Sequence, residues 1–282
     1  MAFEIVDCHT HVVAADHLAY PLEPRALSAS TWVRDGARTA EQLLEAMDGA
    51  GVGRAVLVQG VGAYSYDNRY VADMAARWPA RFVGAGCIDV EAADALARLD
   101  HWIGERGLQG IRLFALAREG PSWLAEERTF PVWERATALG AHVIVTILPH
   151  QLDELARVLA RFPAIPVSLD HCAFATDDPA HLDALLALAR YGNLHLKLTT
   201  HALDAEVAAR RDPRVLVGAL VEAFGAERLM WGSDFCQIFD RPYGDLVDLA
   251  REAFGGLDAA ARAACLGDTA RRLWPGLRPE AS

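Results

Sequence analysis

Eight short apolar runs, each followed by a helically patterned stretch, most tightly constrain how this 282-residue chain folds. The runs lie at residues 3–11, 54–59, 82–88, 110–114, 142–147, 165–170, 194–198 and 228–232. Helical patterning follows them at 39–47, 65–78, 92–106, 130–139, 152–162, 179–191, 204–224 and, after the last run, through about residue 273. Strands separated by helices do not pair as hairpins; they run parallel, with each helix as a crossover. An open doubly wound sheet and a closed (β/α)8 barrel both meet that condition. The open fold carries a glycine-rich phosphate turn after its first strand, where this chain has Cys8-His-Thr-His11. Eight units in this length favour a TIM barrel, with residues 1–282 as a single domain.

In a TIM barrel the active site lies at the carboxyl ends of the strands. Polar residues gather there in this chain. Strand one ends in His9 and His11, and alternation puts both on one face together with Asp7. Cys8 and Cys172, each next to one of the site histidines, then point to the other face and pack. Strand four contributes Arg112, strand six ends at His171, strand seven supplies Lys197 and Thr199, and strand eight leads into Asp234. On strand seven, Leu194, Leu196 and Leu198 form the face expected to meet helices, which turns His195, Lys197 and Thr199 inward. Any one of these polar groups has an ordinary reading as a turn former. Together they are harder to explain that way, because charges turned into a barrel interior are costly unless paired or metal-bound.

Arg112 suits a bidentate grip on a substrate carboxylate, against the alternative of a structural ion pair with a neighbouring acid. Residues 12–38 form a long connection leaving the histidine-bearing end, either a lid over the site or a surface excursion. His17 and His201 lie near strand-end loops, within reach of a ligand, and His150 follows strand five.

Composition narrows the partners. A formal charge of −11 argues against nucleic acid and anionic membranes, both of which need a basic footprint. Cys8, Cys87, Cys172, Cys236 and Cys265 are odd in number and scattered, so a reducing compartment is expected rather than a disulfide framework. With neither a secretory leader pattern nor an apolar run of spanning length, a soluble cytoplasmic protein acting on a small molecule is the expectation. Association into homo-oligomers stays open.

The ordered motifs Val6-Asp-Cys-His-Thr-His11, Ala55-Val-Leu-Val-Gln59, Tyr66-Asp-Asn-Arg-Tyr70, Gly110-Ile-Arg-Leu113, Pro149-His-Gln-Leu152, Leu169-Asp-His171 and Leu229-Met-Trp-Gly-Ser-Asp-Phe235 span nearly the whole chain. In them the chain resembles the amidohydrolase superfamily, and within it the amidohydrolase-related branch with its pyrone-dicarboxylate and sugar lactonases. The resemblance implies a hydrolase that opens a small lactone or related cyclic ester by water attack on a carbonyl. Asp234 would be the general base. His9, His11 and Asp234 would bind one divalent ion, zinc for preference, and His171 would be a further ligand or a donor to the oxyanion. Arg112, Arg118, Tyr66, Asn68 and Lys197 would contact substrate, with Lys197 alternatively pairing with Asp234 or another acid.

Strand five carries Thr146 rather than the histidine found in many metal-dependent relatives, and strand four offers no lysine or glutamate to bridge two metals. One ion, or metal-independent catalysis with histidines as direct donors, are the remaining alternatives. The competing activity is metal-dependent, non-oxidative decarboxylation of an aromatic or muconate-type acid. A non-catalytic ligand-binding barrel is opposed by the intact set of His9, His11, His171 and Asp234.

Overall fold

Thr39 shows how local chemistry starts a crossover helix. Its hydroxyl accepts from the Gln42 backbone N–H, and the Gln42 side chain accepts from the Thr39 N–H, a reciprocal cap on the helix Ala40–Ala50. Gly51, at φ 73°, ends the helix in the left-handed conformation that glycine adopts most readily.

The computed structural model describes residues 3–278; residues 1–2 and 279–282 of the expected domain lie outside the described residues. Its strands are β1 (Ile5–Thr10), β2 (Val52–Val58), β3 (Phe82–Cys87), β4 (Gly110–Phe114), β5 (His142–Thr146), β6 (Val167–Leu169), β7 (Leu194–Thr199) and β8 (Leu229–Gly232). Each pairs in parallel with the next, in sequence order. The seam between β8 and β1 is stitched just beyond β8. Asp234 N donates to His9 O at 2.9 Å and His11 N to Phe235 O at 2.6 Å. The chain is a (β/α)8 barrel, as expected. Among the described residues no helix is long and apolar enough to cross a membrane.

Two expected helices are shortened. The 65–78 helix gives way to Val61–Tyr64 and Arg69–Arg77, parted at Ser65, where φ is 52°. The 92–106 helix begins only at Ala95. The 12–38 connection carries two short helices, Ala26–Ala29 and Thr31–Asp35, and buries Trp32 with its ring 5.6 Å from that of His11.

Side chains of the barrel separate into two apolar sets. Val6, Cys8, Val56, Val58, Val83, Ala85, Ile144 and Met230 cluster in the interior with Trp274 and Leu277 of the C-terminal segment. Trp274 plugs the amino-terminal end, where a Cβ on Gly110 would come within 2.5 Å of its ring. The alternate positions, among them Ala55, Leu57, Leu194, Leu196 and Leu198, join the larger cluster beneath the helices.

Strand one departs from simple alternation. Asp7 pairs with Ala55 and Thr10 with Leu57, so three steps along β1 match two along β2. The extra residue is a bulge. It breaks the expected common face of Asp7, His9 and His11, and it lets Cys8 stay in the interior set beside His9 rather than opposite it. Asp7 instead ties the seam together. Its Oδ1 accepts from the backbone of His9 and Ser233, and its Oδ2 accepts from the Tyr243 hydroxyl in the outer helical layer.

Burial pushes the Asp7 carboxyl from 3.8 up to about 6 despite these bonds. The native state therefore holds an extra proton between those values, and stability falls as pH rises through that window. At about 1.4 kcal/mol per pKa unit the cost above pH 6 is on the order of 3 kcal/mol. Asp7→Asn can keep the bonds without the charge. Its stability relative to wild type is expected to be level near pH 4 and to gain on that order by pH 7, read by urea unfolding across the range. A pH-independent difference would contradict this account.

Candidate active site

Backbone conformation aims the site. After β6 the chain turns through His171, Cys172, Ala173 and Phe174, all left-handed with φ between 51° and 55°, and Asp234 after β8 has φ 60°. Non-glycine residues pay roughly 1–3 kcal/mol each for such geometry, which is typically retained where a side chain must be presented. Here it brings His171 and Asp234 to the ends of His9 and His11.

The ligating atoms of His9, His171 and Asp234 all lie within 4.8 Å of one another, and all three residues are buried. His9 Nε2 is 3.5 Å from Asp234 Oδ1. Both atoms are buried without a hydrogen-bond partner. A buried ring nitrogen and a buried carboxylate oxygen facing one another call for a proton or a cation between them, and two imidazoles with one carboxylate form a donor set that suits zinc. The residues therefore fit a single divalent ion. The triple that meets takes His171 where sequence reasoning placed His11. His11 Nε2 lies 3.1 Å from the same oxygen, and its Nδ1 is turned onto the Val58 carbonyl at 2.8 Å. His171 is steadied by Thr199, Nδ1 to Oγ1 at 2.8 Å.

Burial keeps His9 and His171 neutral. It pushes His9 well below the ordinary histidine value and His171 down to about 4. For Asp234, burial alone would raise the pKa, but the rings of His11 and His201 at its oxygens hold it well below the usual carboxylate range. His201 binds the outer oxygen, Nε2 to Oδ2 at 2.7 Å, and that bond raises its own pKa against the effect of burial.

Beneath the histidines lies Asp170, which sequence reasoning left without a role. Its Oδ1 is 3.1 Å from His9 Nδ1 and 3.2 Å from Lys197 Nζ. Its Oδ2 accepts from Arg112 Nε and from Thr146 Oγ1, both at 2.8 Å. Thr146, at the strand-five position without a histidine, thus joins Arg112 to Asp170. The sequence did hold a signal for this cluster: Lys197 is the only lysine in the chain, every other one of the 27 basic residues being arginine.

A cavity of about 110 Å³ opens above, bounded by His11, Arg112, Thr146 and His171, with Trp32 and Phe174 among its apolar walls. Arg112 lines it while also forming the ion pair with Asp170, the structural alternative weighed for that residue. Other expected contacts sit elsewhere. Lys197 is fully buried on Asp170, closed off from substrate. Asn68 spends its amide on the backbone of Cys87, accepting at 2.7 Å and donating at 2.9 Å, which locks the helix start to β3. Tyr66 lines a separate outer groove with Arg69, Arg98 and Arg106, which shares no wall residue with the histidine cavity. Arg118, on a loop, and His150, in the short 3-10 turn Pro149–Gln151, are exposed and do not line the cavity. Lys197 thus takes the acid-pairing alternative, whereas Tyr66, Asn68 and Arg118 lie beyond strand ends, where a loop's direction depends on packing and not on strand phase.

A parallel barrel whose strand ends gather histidines and an aspartate at one mouth carries its site where TIM-barrel enzymes carry theirs. The family profile described as amidohydrolase matches residues 6–276, and the chain belongs to that family. An L-fucono-1,5-lactonase of Burkholderia ambifaria is 30% identical over 196 residues, spanning 66% of this chain and 66% of the relative. Among solved structures, a protein of Pseudomonas putida assigned as a 2-pyrone-4,6-dicarboxylic acid hydrolase superposes with a TM-score of 0.78 at 24% identity, over 99% of this chain and 100% of that one. An amidohydrolase of Burkholderia multivorans with bound zinc gives a TM-score of 0.76 at 23% identity, over 96% and 99%.

Metal-stripped protein is expected to take up one zinc ion per chain in a calorimetric titration. His171→Gln should weaken that binding by at least about tenfold, and Tyr66→Phe should leave it unchanged. Equal binding by His171→Gln would remove this residue from the ligand set.

Proposed function

We propose that this protein hydrolyses a small lactone, with Asp234 as the base that takes a proton from the attacking water. The observation that carries this reading is Asp234 itself. It is buried and ionised, with Oδ1 facing the rings of His9 and His11 and Oδ2 anchored by His201. A carboxylate so held accepts a proton at Oδ1 without turning.

Arg112, at the opposite wall, would hold a carboxylate or ring oxygen of the substrate and set its carbonyl toward the histidines. Trp32 and Phe174 would pack against the apolar edge of the ring and keep bulk water out. Neutral His171, with His11 beside it, would orient the carbonyl and the incoming water. As the tetrahedral centre collapses and the ring C–O bond breaks, the proton held on Asp234 passes to the departing alkoxide, leaving a hydroxy acid and restoring the carboxylate. A divalent ion bound by His9, His171 and Asp234 supplies Lewis acidity to the carbonyl and lowers the pKa of a nearby water. The likeness to a fuconolactonase supports a cyclic ester as substrate. The five buried thiols fit a reducing, cytoplasmic setting.

A panel of neutral and carboxylated five- and six-membered lactones tests the proposal. Asp234→Asn is expected to lower kcat by about 10²–10⁴-fold while leaving the circular dichroism spectrum unchanged. Retained turnover in that variant would overturn the general-base role. Carbon dioxide release from aromatic acids, with no lactone opened, would move the protein to the decarboxylases.

A further inference from the structure

His9 Nδ1 faces two neighbours that make opposite demands. Lys197 Nζ, 3.4 Å away, can only donate a hydrogen bond; Asp170 Oδ1, 3.1 Å away, can only accept one when ionised. If Nδ1 accepts from Lys197, the ring proton must sit on Nε2. If Nδ1 donates to Asp170, Nε2 is bare. The two tautomers do different work, because a bare Nε2 ligates a cation whereas a protonated one donates a hydrogen bond to substrate or to Asp234.

We propose that Asp170 is a positioning residue that locks His9 in the Nδ1–H tautomer, and that Lys197, Arg112 and Thr146 hold its carboxylate in place for this task. The inference rests on the reading that His9 acts in the site through Nε2. Four donors surround the carboxylate, with His9 and Lys197 on Oδ1 and Arg112 and Thr146 on Oδ2. That saturates the roughly four lone-pair positions a carboxylate offers, and two of the donors carry a full positive charge. Moving the ring proton to Nε2 would strip Asp170 of its His9 contact in exchange for a 3.5 Å approach to Asp234 Oδ1, beyond good hydrogen-bond distance. The shorter, charge-assisted bond wins.

The other strand-one histidine makes a useful contrast. His11 Nδ1 meets only a backbone carbonyl, that of Val58, so its tautomer follows from barrel pairing alone. His9 has no such carbonyl, and a buried ion cluster does the same job. The identity of residue 197 follows too. A compact ammonium fits beside a ring nitrogen and a carboxylate oxygen, whereas a planar guanidinium of the kind used elsewhere in this chain would press its fork into both.

Imidazole ¹⁵N shifts separate protonated from bare ring nitrogens, so the test is direct. In metal-free protein labelled with ¹⁵N-histidine and assigned with a His9→Gln spectrum, His9 is expected to carry its proton on Nδ1. Lys197→Met should keep that tautomer, because the competing donor is gone and Asp170 retains Arg112. Asp170→Ala should move the proton to Nε2 and weaken zinc binding by at least about tenfold. Selective ¹⁵N labelling of lysine gives a single ammonium resonance from Lys197 and reports its displacement in the same variant. A wild-type His9 protonated on Nε2 overturns the proposal, as does an Asp170→Ala protein that keeps the Nδ1–H form or wild-type zinc affinity. If that variant does not fold, the wild-type and Lys197→Met spectra decide. None of these measurements needs a substrate, so a failure of lactone hydrolysis and a failure of the tautomer lock are read separately.

Discussion

The barrel is drawn shut by two backbone hydrogen bonds, from Asp234 N to His9 O and from His11 N to Phe235 O. Everything chemical about the protein depends on that seam. Residues 225 positions apart in the chain, His9 and Asp234, become neighbours because the last strand has nowhere to pair except against the first. The bulge in β1 and the left-handed turn at Asp234 both lie at this junction. Asp7 braces it from the outer side through Ser233 and Tyr243, at the cost of a buried carboxyl. A site at a closure seam is held by the cooperative pairing of the whole sheet, and that allows strained conformations to persist there.

Charge inside the barrel mouth is balanced locally. Asp170 faces Lys197 and Arg112, Asp234 faces the rings of His9, His11 and His201, and burial keeps His9 and His171 neutral. The overall −11 charge has little to do with this, since the acidic excess lies largely on a surface laced with exposed arginine–carboxylate pairs. Exposed pairs of that kind contribute little to stability. The buried cluster is different. Removing one member strands the others in a low-dielectric interior, so its members act as a unit.

Much of the framework is readable without coordinates. The span of β4 at 110–114, the cap at Thr39, and the division of strand seven into leucines facing out and Lys197 and Thr199 facing in all follow from local pattern. The places where that reasoning failed are equally local in origin. A single extra residue in β1 moved Asp7 off the expected face. A left-handed Ser65 split a helix and sent Tyr66 to an outer groove, and Asn68 went to backbone duty at Cys87. Periodicity carries no information about such interruptions.

The chain's alternation of strand and helix determined that it would form a parallel barrel, and residue type at the strand ends determined that imidazoles, a carboxylate and an arginine would meet at one mouth. Those features are encoded by neighbours a few positions apart, where the geometry of strand and helix is nearly fixed. Which atoms face each other was decided only by the closed tertiary structure. His171 joins His9 and Asp234 at one point, and Asp170 collects partners from β1, β4, β5 and β7. Contacts among distant strands depend on barrel closure, on a one-residue shift of register and on the turn after each strand, and none of these is a property of any short stretch of sequence.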